Sequence, residues 1–167
     1  MGVERVARVD PRPPEGVAVT AAAPDHRALA VGYFNTTWSL IDRADRTADD
    51  DRAMLTSAFA SRQHWVEACG TNENLAIADW QVAHVASLAG FADVALAFAQ
   101  AAVARADVPI WIQASAHEGL ARAHAAAGDR DGYETAKARC EELLASVDDV
   151  EDRELVASQL ASIRPPA

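Results

Sequence analysis

Asn35, Trp38 and Asp42 are spaced by three and four residues, which on a helix places all three within about 60° of arc. Glu73, Trp80, His84 and Ser87 share a similar arc, and so do Gln113, His117 and His124. Such sets suit recognition: an indole face takes apolar or planar groups while amides, imidazoles and carboxylates orient a polar one. If the three edges face the same side, they form a shallow groove for an extended peptide or a small polar ligand. The alternative is that Trp38 and Trp80 anchor the core and the polar residues cap turns or bond backbone.

His64-Trp65 is the sharpest dipeptide in the chain. Trp65 lies on the arc of Met54, Ala58 and Ser61 and reads as core. His64, at its margin, is placed to pair with Glu67 or with an acidic group on a neighbouring helix, or to touch a ligand. Metal binding is disfavoured. His64-x-x-Glu67 reverses the Glu-x-x-His order of di-iron bundles and has no second copy, and His117 and His124 stand two turns apart. No cofactor is expected. A Gly-rich phosphate loop, a nucleophile elbow and a His-Glu-x-x-His motif are all missing from the sequence. An acid–base pair of His84 with Asp42 or Glu73 requires the first and third helices to meet. Cys69 and Cys140, far apart and in apolar helical patterns, read as buried reduced thiols.

The elements that must position these residues are helical. The 167 residues are 50% hydrophobic, and alanine makes up nearly a quarter of them, a composition for closely packed helices in one domain. Fifteen basic against twenty-five acidic residues leave a net charge of −10, which disfavours nucleic acid and anionic lipid as partners. Asp49 to Asp51 and the acids from Glu141 through Glu154 read as solvated helix ends and faces. No apolar run reaches a membrane span and no leader-like apolar stretch opens the chain, so a cytoplasmic protein is expected.

Residues 1–24 hold Pro11, Pro13, Pro14 and Pro24 and read as an arm of extended or irregular chain before a helical domain over 25–165. Seven helices follow. The first spans about Asp25 to Arg43, and the second, headed by Thr47 with Asp50 three residues on, runs to about Cys69. A third runs from the Gly70-Thr71-Asn72-Glu73 break to Ala89, and a fourth to near Ala106. The fifth covers Ile110 to Ala127, the sixth Gly132 to about Ser146, and the last starts at Asp148 to Glu151 and ends before Pro165.

Gly90 and Gly128 lie 38 residues apart, and each closes one alanine-rich helix and opens another, a spacing for repeated helical hairpins. Around Gly90 the small residues Ala83, Ala86, Ala95, Ala99 and Ala102 resemble the helix–turn–helix skeleton of the tetratricopeptide repeat. Around Gly128 only Ala121 fits as well, and His124, Tyr133 and Lys137 depart from the pattern. The stretch from Tyr33 to Ile163 also resembles a group of bacterial helical-repeat proteins of no established activity. The matching residues include Phe34-Asn35-x-Thr37-Trp38, Asp42, Arg46-Thr47, Ala60-Ser61-Arg62, His64-Trp65, Trp80-Gln81 and Glu151-Asp152-Arg153-Glu154-Leu155. That resemblance implies an all-α, tetratricopeptide-like array of antiparallel helical hairpins, and implies no activity. In such arrays the first helix of each hairpin lines the concave face. The expected role is therefore a protein or peptide interaction module, with a small-molecule binder or enzyme using the same groove as the alternative. A homodimer is expected because short arrays must cover their terminal apolar faces.

Overall fold

Five helices begin where a side chain satisfies a free backbone donor of the first turn. A computed structural model describes residues 23–105 and 107–167; these form seven helices and no strand, and the bulk of the proline-containing arm lies outside them. They are α1 (His26–Ile41), α2 (Ala48–Glu67), α3 (Asn72–Leu88), α4 (Ala92–Val103), α5 (Ile110–Ala127), α6 (Arg130–Leu144) and α7 (Val150–Ala161). Thr47 with Asp50 and Thr71 with Asn74 form complete capping boxes, and the carboxylates of Asp25, Asp129 and Asp149 cap α1, α6 and α7. The Thr47 amide and hydroxyl hold the Asp50 carboxyl below its ordinary range. Asp129 accepts from the Gly132 amide, so α6 starts at Arg130, two residues earlier than its sequence suggests. At the other end, α7 stops at Ala161, and the chain beyond it packs irregularly, with Ile163 buried and the Pro166 carbonyl accepting from Arg130.

Gly90 and Gly128 take left-handed backbone, φ 80° and 74°. The Phe91 amide then donates to the Ala86 carbonyl at 2.9 Å and the Asp129 amide to that of His124 at 3.0 Å, closing α3 and α5 with the same motif. Cys69 does this at the end of α2 with φ 52°. Its thiol is therefore exposed, against the expectation of burial, because the residue that reverses the chain cannot also face the core. Cys140 is buried as expected; its thiol donates to the Ala114 carbonyl, and burial pushes its pKa up to about 12.

Helices α1 and α2, α3 and α4, and α5 and α6 pack as successive hairpins, with α7 against α5 and α6. The odd-numbered helices form a row, α3 touching α1 and α5, and α5 touching α7. Between α3, α4 and α5 the contact layer is Ala83, Ala86, Ala95, Ala99 and Ala123, whose small side chains let the backbones approach closely. Tyr133, Leu143, Leu144, Val156 and Leu160 fill the larger space among α5, α6 and α7. Tyr133, one of the departures from the repeat pattern, is thus a core residue. No helix of the described residues is long and apolar enough to cross a membrane.

Two carboxylates lie at the centre of this fold with no solvent exposure. Asp79 of α3 accepts from Arg62 Nε of α2 at 2.5 Å and from Arg105 Nε and Nη2, beyond α4, at 3.0 and 2.8 Å. Glu118 of α5 accepts from Trp80 Nε1 at 2.8 Å and from Arg122 Nε and Nη2 at 2.9 and 2.5 Å. Arg122 also donates to the Gln159 carbonyl and to Ser162 Oγ, which ties α7 to α5. Replacing one member of such a set leaves its partners uncompensated. Asp79→Ala is expected to lower unfolding free energy by about 3 kcal/mol in urea titration, whereas a loss comparable to that of an exposed ion pair would show the pairing to be incidental.

Candidate functional site

All four tryptophans converge on one concavity of about 600 Å³ on the row of odd-numbered helices. Helix α1 and its C-cap supply Val31, Phe34, Trp38 and Asp42, and α2 supplies Trp65. Helix α3 contributes Asn74, Ile77 and Trp80, α5 contributes Trp111, Ile112 and Ser115, and α7 contributes Asp152, Leu155 and Gln159. The volume falls in the range of small-molecule and side-chain pockets, roughly 300–1,000 Å³. Its walls are apolar apart from a few amide, hydroxyl and carboxylate groups.

Trp80 is the centre of this wall. Its indole N–H is fixed by Glu118, and its ring lies against the backbone of Gly119, where an added Cβ would meet Trp80 Cδ1 at 2.7 Å. Trp38 packs on it with ring centroids 5.8 Å apart and planes inclined at 37°. The His84 ring meets both edge-on, at 5.9 Å from Trp38 and 5.5 Å from Trp80. Its Nδ1 is buried without a hydrogen-bond partner among the described residues. Burial, reinforced by the Arg122 and Arg46 charges, lowers the His84 pKa to about 3, so the imidazole is neutral at physiological pH.

The sequence-derived sites are partly united and partly separated. Trp38, Asp42 and Trp80 line the cavity, and His84 lies behind the two indoles. Helices one and three do meet, yet His84 packs on aromatic rings rather than on Asp42, and Glu73 is exposed. Asn35 faces solvent and is no part of the lining, because α1 turns Phe34 and Trp38 inward. Gln113 and His117 line a second, smaller hollow of about 270 Å³ with Arg105 and Asp107, on the side of α5 away from Trp111. There Gln113 Nε2 donates to the Val108 carbonyl, and burial together with the Arg139 charge lowers the His117 pKa. His124 pairs with Asp129 at 2.8 Å in the α5–α6 turn. His64 does not pair with Glu67, which accepts from Gln63; its Nδ1 lies 2.9 Å from that of His26, and its ring stacks on Tyr33.

The expected groove therefore keeps its edges on α1 and α3 and replaces the one on α5. Trp111 and Trp65, Asp152 on α7 and the buried pair Asp79 and Glu118 complete or support the cavity unforeseen. A signal for the α5 edge exists: Trp111, Ser115, Glu118 and Arg122 recur at spacings of four and three, marking one stripe of a helix. Trp65 has two sides, since it is nearly buried against Ala30 and Ala78 and still presents an edge to the cavity. Comparison with protein-family models, with curated proteins and with solved structures finds no match.

Two expectations follow from Trp80 and His84. Gly119→Ala drives a methyl group into a rigid indole, so a stability loss of about 1–3 kcal/mol together with altered tryptophan emission is expected; an unchanged spectrum and melting temperature would show that the contact is loose. The folded-state pKa of His84 lies well below its ordinary 6.5, so the unfolded chain takes up a proton first as pH falls. The stability tied to its neutral form is complete above pH 6.5 and drains away toward pH 3. His84→Phe should flatten that part of the stability–pH curve, and an unaltered slope would place the acid sensitivity elsewhere.

Proposed function

We propose that the chain is a tetratricopeptide-like interaction module that receives a segment of a protein or peptide in the four-tryptophan cavity. The observation that carries this reading is the convergence of Trp38, Trp65, Trp80 and Trp111 from four different helices on one concavity. Indoles supply large contact areas at small entropic cost and dominate the energetics of recognition surfaces. The serial hairpins, the left-handed glycines at both repeat turns and the alanine layer between α3, α4 and α5 support the repeat reading. In that architecture α1, α3 and α5 are the first helices of their hairpins, and α7 extends the row.

The mouth of the cavity is at the surface, since Val31, Asp42 and Leu155 of its lining are exposed. An opening of this kind admits one or two side chains of a longer segment while the remainder lies along α1, α5 and α7. A volume of about 600 Å³ is also adequate for a free small molecule, which is the competing occupant.

Peptides selected by display on the immobilised protein test this reading. Trp111 is only half-buried and belongs to the wall, so Trp111→Ala is expected to weaken the selected peptides at least about tenfold while leaving the helical spectrum intact. Selected peptides that bind wild type and Trp111→Ala equally would overturn the assignment of the site.

A further inference from the structure

The chemistry of the cavity wall restricts what enters it. Its ionisable lining residues are Asp42 and Asp152, both carboxylates, and neither side chain has an ion-pair or hydrogen-bonding partner among the described residues. Asp42 is the C-cap of α1, where the unpaired carbonyls at the helix end add to its negative potential. The guanidinium groups of the buried network and of the α1–α2 turn are engaged elsewhere. Arg62 and Arg105 hold Asp79, Arg122 holds Glu118, and Arg46 is divided between Asp51 and the Ile41 carbonyl. His84 behind the indoles is neutral and opposes no incoming positive charge. The fold already contains one cation on an indole, the Arg27 guanidinium carbon 5.6 Å from the centre of the Trp65 ring.

We infer that the occupant of this cavity is a basic side chain of a peptide, a lysine or an arginine, with its stem along the tryptophans and its charged head toward Asp42 and Asp152. The inference rests on the peptide-binding reading of the same site. Long basic side chains carry an apolar stem and a cationic end, and this wall is apolar and aromatic with carboxylates beside it. An acidic segment meets two unneutralised carboxylates in a chain of net charge −10 and is rejected. An aliphatic segment fills the volume and leaves those carboxylates unanswered.

Two pools of acetylated, amidated nonapeptides, varied over uncharged residues and carrying either lysine or norleucine at the centre, separate these cases when passed over the immobilised full chain. The lysine pool is expected to be retained about tenfold more strongly than the norleucine pool, and the preference should shrink with added salt. Asp42→Asn combined with Asp152→Asn, both near the surface and outside the core, should abolish the preference for lysine over norleucine, and a preference that survives this double substitution would overturn the inference. Equal retention of both pools on wild type, with loss of both on Trp111→Ala, would overturn the basic-side-chain inference and leave the peptide site standing. Retention of neither pool, or retention indifferent to Trp111→Ala, would sink the peptide site itself and the inference with it. Tighter retention of n-butylammonium than of the lysine pool would also overturn it, in favour of a free small-molecule cation.

Discussion

Asp79 and Trp80 are neighbours in the chain, yet they face different helices, and the whole arrangement depends on what each one finds there. A carboxylate without solvent exposure is tolerable only when its oxygens are bonded to donors, and Asp79 meets Arg62 from α2 and Arg105 from beyond α4. Trp80, about 100° further round α3, gives its N–H to Glu118 of α5, whose other oxygen binds Arg122. Arg122 in turn reaches the end of α7. One dipeptide thereby sets the rotation of α3 against three neighbouring segments, α2, the end of α4 and α5, and α7 is tied in through Arg122. A slip of one residue would bury at least one charge unpaired, a cost larger than most packing gains.

That fixed rotation is what opens the cavity. With α3 held between α2, α4 and α5, its residues from Ala78 to Ala86 are all buried, and Asp79, Trp80 and Gln81 among them act as ties. Gln81 Nε2 donates to the Phe34 carbonyl of α1, which sets that helix so that Phe34 and Trp38 lean over Trp80. Alanines on the opposite side allow α4 and α5 to approach closely, and Gly119 gives the Trp80 ring a flat backbone to lie against. Close packing on one side of α3 and large rings on the other leave a row of helices that is open on the aromatic side. The cavity wall and the stabilising network share Trp80 and cannot be altered independently.

Much of the frame was legible because its causes are local. Thr47 with Asp50, the Gly70-Thr71 break, Pro109 ahead of α5, and Gly90 and Gly128 act through residues within one turn of themselves, and the seven helices begin and end near them. The small boundary differences have local causes as well, such as Asp129 capping α6 ahead of Gly132. The clusters on α1 and α3 were legible for a related reason, since spacing on a helix puts Trp38 with Asp42 on one edge and Trp80 with His84 on another. Spacing does not say which way that edge points. The stripe of Gln113 and His117 was as regular as the others, and it lies on the far side of α5 from Trp111.

The amino-acid sequence by itself therefore determined the seven helices of the described residues, the caps and turns that bound them, and the alanine surfaces along which they pack. Tertiary structure alone decided which edges meet, that Trp65 and Trp111 join Trp38 and Trp80, and that His64 finds His26 instead of Glu67. The reason is the range of the interactions. Caps and turns act over about three to five residues, whereas Asp79 is bonded to partners 17 and 26 residues away and Trp80 to one 38 away. Helix rotation is settled by those long-range bonds, and no pattern within a single helix contains them.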